Sequence, residues 1–103
     1  MRPMTDDAIA RLLGRVYADS MIAAAVETLA AGRCPPEKLS DAHIRWFRDR
    51  LSSVGVAAFR EATSAAAMSK PTDVFAKGFT AAMAAAGRQV AEEFLAGEWG
   101  RQD

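Results

Sequence analysis

Pro71–Ala96 reads PTDVFAKGFTAAMAAAGRQVAEEFLA. Within it Phe75, Phe79, Met83, Ala86, Val90 and Phe94 recur at helical spacing, so a helix gathers them into one apolar stripe. Alanine is the commonest residue at the remaining positions and has the highest intrinsic helix propensity, because it loses no side-chain entropy. Pro71 suits a first helical turn, and Asp73 complements the positive end of the helix dipole. Gly97 is a natural stop. The stretch therefore predicts a helix over 71–96 and a short tail over 97–103. Gly78, Ala82 and Ala85 or Ala86 place small residues beside the stripe, where a second backbone can come close.

The same logic extends toward the N-terminus. A helix over 5–31 begins at Thr5 as N-cap, with Asp6 and Asp7 in its first turn. Its stripe runs through Ile9, Leu12, Leu13, Val16, Tyr17, Met21, Ala24, Ala25 and Leu29. Gly14 interrupts it at a cost of about 1 kcal/mol relative to Ala. Gly32 is expected as the stop, and Pro35-Pro36 prevents continuation. A helix over 40–54 has Ser40 as N-cap, and Leu39 with Ile44 has hydrophobic-staple spacing. Its face is Ile44, Phe47, Leu51 and Val54, and Gly55 is expected to end or bend it. A weaker helix over 56–68 follows, with Val56, Phe59 and Met68 as its large apolar residues. The expected fold is all-α: one domain over 1–103, a compact antiparallel bundle of about four helices with no sheet.

Composition narrows function mainly by exclusion. Hydrophobic residues make up 50% of the 103, too many for a disordered chain, yet much of that share is alanine. The core of large side chains is thin, which favours self-association through the alanine-rich face of the first or last helix. Formal net charge is +0, unlike the basic excess of a dedicated nucleic-acid binder. Cys34 is the only cysteine, consistent with a reducing cytoplasm. Glu27, Lys77 and Arg88 interrupt every stretch that approaches membrane-spanning length. No secretory leader is expected, since no uninterrupted apolar segment follows Arg2.

Cys34 and His43 are too few soft ligands for a structural zinc site. Neither Asp6-Asp7 nor Glu92-Glu93 converges on one atom, because neighbouring helical positions diverge by about 100°. No phosphate-binding or dinucleotide motif is present. No enzyme, no cofactor and no metal are expected.

Charge is unevenly spread. The middle is basic through Arg33, Lys38, Arg45, Arg48, Arg50, Arg60 and Lys70, whereas Glu92, Glu93, Glu98 and Asp103 make the end acidic. Trp46 and Arg50 share one face of the second helix, and Arg45 and Arg48 an adjacent one. An aromatic anchor rimmed by guanidinium groups has the composition of a binding hot spot. Arg45, Trp46, Arg48 and Arg50 are therefore the expected partner-binding residues of a non-catalytic helical protein. The partner is expected to be a protein, with an acidic surface, and a homodimer is a further expectation. Inhibitors, adaptors and assembly factors share this description, as do phage-type inhibitors of host defence such as anti-CRISPR proteins. The alternatives are a small DNA-binding regulator using the second and third helices around Gly55, and a homo-oligomeric structural subunit.

Overall fold

The stripe on the last helix finds its partner on the first. The protein is described here by a computed structural model covering the backbone of residues 6–100 and the side chains of residues 14–99. Its elements are α1 (Asp6–Ala31), α2 (Asp41–Ala62), α3 (Ala65–Met68) and α4 (Thr72–Leu95), with 3-10 turns at Pro36–Lys38 and Glu98–Gly100. No strand occurs among the described residues. Both α1 and α2 pack along α4. The three long helices form an up-down-up bundle in which α2 is antiparallel to its two neighbours. At about 1.5 Å per residue, helices of 22 to 26 residues are roughly 33–39 Å long, which accounts for extents of 48 × 25 × 22 Å.

The α1–α4 contact uses the alanines. Met21, Ala24, Ala25 and Leu29 on α1 are buried, as are Phe79, Met83, Ala86, Val90, Ala91 and Phe94 on α4. Met83, Val90 and Ala91 have no exposed surface at all. Burying a large side chain such as Met83 or Val90 stabilises by about 1.5–3 kcal/mol. The Ala24-Ala25 edge of the first alanine run is thus spent on α4, within the chain. The expected N-cap Thr5 lies outside the described residues, and Ile9, Leu12 and Leu13 lie outside the described side chains.

Gly87 sets how close these helices come. A Cβ there would stand 2.9 Å from the carbonyl carbon and 3.1 Å from the Cα of Met21, and closer still to its carbonyl oxygen. That obstacle is backbone and has little freedom to yield. Gly78, expected to serve such an approach, is exposed with nothing near its missing Cβ. Gly14 is equally open.

Gly55 corrects the sequence reading. It neither ends nor bends the helix into two: α2 runs unbroken from Asp41 to Ala62. The expected third helix over 56–68 is consequently split between the end of α2 and the single turn α3. The reason is packing. Gly55 is buried, and a Cβ would run into the Tyr17 ring (2.6 Å from Cζ) and the Met21 sulfur (2.9 Å). Its lack of a side chain admits α1, and that contact outweighs the helix-propensity cost. The real break is Thr63-Ser64, where Ser64 becomes the N-cap of α3 by accepting from the Ala67 amide. Two expected core residues are also displaced: Ile44 and Val56 are exposed, while Phe59 makes edge contacts with Tyr17 and Phe79 at 5.7 Å.

The end of α1 is a Schellman turn. Cys34 donates to the Leu29 carbonyl at 2.8 Å and Arg33 to the Ala30 carbonyl at 3.0 Å. Arg33, not Gly32, takes the left-handed conformation, at φ 62°. At Gly32, one residue earlier, a Cβ would meet the Leu95 methyls at 2.6 and 2.9 Å, the ends of an exposed side chain with room to turn aside. At the end of α4 the left-handed residue is Gly97, at φ 87°.

Two outcomes follow from these positions. Gly87→Ala should lower stability by about 1–3 kcal/mol despite its better helix propensity, whereas Gly14→Ala should raise it by about 0.5–1 kcal/mol. Arg33→Gly should also raise stability, by roughly 0.5–1 kcal/mol, because the cost of a left-handed non-glycine residue is removed. Urea denaturation of the three variants measures both. Equal effects of the two glycine substitutions would show that the Met21 contact does not limit helix approach.

Candidate functional site

Ser40 begins the site by fixing how α2 starts. Its hydroxyl accepts from the His43 amide at 3.2 Å, and its own amide donates to His43 Nδ1 at 3.3 Å. This capping box turns the imidazole back over the helix start. There it meets Phe94, with ring centroids 5.1 Å apart, and Trp99 at 4.3 Å, both edge-on. His43 is half-buried and structural.

Trp46 lies one step round α2. Its ring packs edge-on to Phe47 at 5.3 Å and tilted against Phe94 at 6.0 Å. It is half-buried, so one part of the indole supports the core cluster and the rest stays at the surface. Trp99, in the turn after α4, stacks on Phe94 at 6.0 Å and remains 42% exposed. Phe94 is therefore the hub of an aromatic cluster closing this end of the bundle. Edge-to-face and offset pairs of this kind contribute about 0.5–1.5 kcal/mol each beyond area burial.

Arg50, one turn beyond Trp46, reaches across to α4. Its Nε donates to Glu93 Oε1 at 2.6 Å and its Nη2 to Oε2 at 3.0 Å, a fork that holds both carboxylate oxygens. Gln89 donates to the same carboxylate at 3.1 Å. The Arg50 hydrogen bonds hold the Glu93 carboxyl below its ordinary range, against an opposing push from partial burial. The guanidinium is held correspondingly above its own. A carboxylate near a helix C-terminus, unfavourable by the dipole alone, is thus offset by the basic α2.

Arg45 and Arg48 are exposed, and among the described residues no ion pair involves them. At about 100° per residue Arg48 points roughly 160° away from Trp46 around α2. The four expected binding residues therefore divide: Trp46 and Arg50 meet on the α4 side, while Arg45 and Arg48 occupy the far side. Sequence reading missed what lies beside Trp46. Glu92, Glu93 and Glu98 join Arg50 in lining an open cleft of about 650 Å³. Three carboxylates against one guanidinium make that cleft acidic. The spacing Glu92-Glu93 to Trp99 on one chain end was the available signal.

Cys34 is a half-buried free thiol against the core cluster. Among the described residues no group of three or more His, Cys, Asp or Glu is arranged to hold a metal ion, and no helix is long and apolar enough to cross a membrane. Comparison with known protein families, with curated proteins and with solved structures finds no match to this chain.

The ion pair gives a pH signature. A carboxyl with a lowered pKa in the folded state contributes stability above its unfolded pKa and loses it as pH falls through the folded value. Glu93→Gln should cost about 1 kcal/mol or less at neutral pH, since the pair is partly solvated. The gap from wild type should close as pH drops below the ordinary Glu value of 4.5. Denaturation midpoints of both proteins across the acid range measure it. A gap independent of pH would mean that the charge of Glu93 is not what stabilises.

Proposed function

We propose that this chain is a non-catalytic helical module that acts by binding another protein through the end of the bundle built from Trp46, Trp99 and their neighbours. The observation that carries the proposal is the aromatic cluster on Phe94, whose two indoles rest on the core yet keep part of their rings at the surface beside a cleft. Rigid aromatic anchors supported from beneath are the usual centre of a protein interface. Three titratable groups at this end already serve structure: His43 in a helix cap, Arg50 and Glu93 in an ion pair.

The charge pattern refines the partner. Beside Trp46 the exposed carboxylate of Glu92 favours a basic side chain, placed to lie over the indole face as well. An acidic contact is reserved for Arg45 and Arg48 on the other side of α2. Phosphates would be repelled from the cleft. The DNA-binding alternative also loses its geometric premise, because Gly55 lies within a continuous helix and α3 is four residues long.

A tagged chain used as bait in its native host tests this. It should recover one protein specifically. Glu92→Arg should weaken capture without changing the melting temperature, since Glu92 is exposed. Arg45→Glu with Arg48→Glu should mainly slow association and alter its salt dependence. Trp46→Ala should speed dissociation, and its melting temperature must be read alongside, because Trp46 also packs on Phe94. Undiminished capture by all these variants, or a loss explained entirely by unfolding, would overturn the proposal.

A further inference from the structure

A second open surface lies on the α2–α4 hairpin, and no residue of α1 lines it. It is a groove of about 650 Å³ along most of the length of α4. Val54, Phe75 and Phe79 form its apolar floor, and Ala57, Ala82 and Ala85 its low walls. Val74 stands at its edge and is 48% exposed. One end carries Glu61 and Lys70; the other carries Arg50 and Gln89, with Glu92 and Glu93 just beyond.

We propose that a second copy of this chain fills the groove. Two α2–α4 hairpins meet face to face about a two-fold axis near Ala82, completing a four-helix bundle with each α1 on the outside. The charges favour this occupant. Rotation about that axis lays each end of the groove over the opposite end of the other copy. Lys70 then faces Glu92 and Glu93 of the second copy, and Glu61 faces Arg50 of the second copy. Both contacts join opposite charges, and symmetry makes each of them twice. Low alanine walls let the facing α4 helices approach closely enough to cover Phe75, which is only half-buried within one copy. The size suits a weak, reversible dimer: the lining runs from Arg50 to Ala62 on α2 and from Lys70 to Gln89 on the α4 side, and at about 1.5 Å per residue and about 10 Å per helix it covers roughly 450–500 Å² per copy, at the low end of protein interfaces.

Sedimentation equilibrium of the full chain, from low to high micromolar concentration, tests the proposal. Wild type should show a reversible monomer–dimer equilibrium. Ala82→Arg should abolish it; Ala85→Arg, at an exposed position, does the same if the first variant is unstable. Lys70→Glu should weaken the dimer roughly tenfold, and Lys70→Glu combined with Glu92→Lys should restore it. Arg48→Glu lies outside the groove and should leave the dimer unchanged, whereas Arg50, Gln89 and Glu92 border both this surface and the cleft proposed for a protein partner. A wild-type chain monomeric at every concentration would overturn the proposal. So would a dimer indifferent to both arginine substitutions, which would place the contact elsewhere, for example at exposed Ile22 and Val26.

Discussion

Everything in this bundle depends on the approach of α4 to the backbone of α1 at Met21. With no side chain at Gly87, two main chains nearly touch, and the alanines on either side can meet across the gap. Alanine buries little area, so a core rich in it is stabilising only when the helices are close enough to exclude every void. Gly55 brings α2 toward the same point from the other direction, against Tyr17 and Met21. Met21 is thus met by glycines from both neighbouring helices. Its flexible thioether suits a site where three elements converge.

The helices were legible because their signals are local. The Phe75-to-Phe94 stripe, the Ser40 cap and the Pro35-Pro36 break each act over a turn or two, and each appears in the structure where the sequence predicts it. Gly55 was misread for the converse reason. A glycine at a helix end and a glycine at a helix crossing look alike in sequence, and only the position of α1 distinguishes them. Gly87 carried the same ambiguity, hidden among alanines. Gly32 lies beside the expected turn, yet the left-handed residue is Arg33, one place later, where the Schellman hydrogen bonds to Leu29 and Ala30 close.

The candidate site was legible in composition but not in arrangement. Trp46 and Arg50 share a face, as helical spacing requires. What that face meets is supplied by α4 and the turn after it, so the Glu93 pair and the carboxylates around the indole could not be read from α2. A stretch rich in arginine consequently presents, beside its tryptophan, an acidic cleft. The surface sign of a bundle is set by pairs of helices, and net charge along the chain is a poor guide to it.

The parallel pairing of α1 with α4 also has a consequence for how the chain is made. Met21 and Gly87 stand 66 positions apart, while α2 and α4 are near neighbours joined by one short turn. Synthesis at roughly 5–20 residues per second leaves α1 waiting about 3–13 seconds for the surface it needs. During that interval its apolar edge, Met21 to Leu29, has only α2 to cover it. Closure of the α2–α4 hairpin involves the shorter loop, and docking of α1 onto it is the long-range event. α1 leaves the ribosome before α2 and α4 yet is the last of the three to be buried, and its small alanine-rich edge is the kind of surface that can wait in water without recruiting the wrong neighbour.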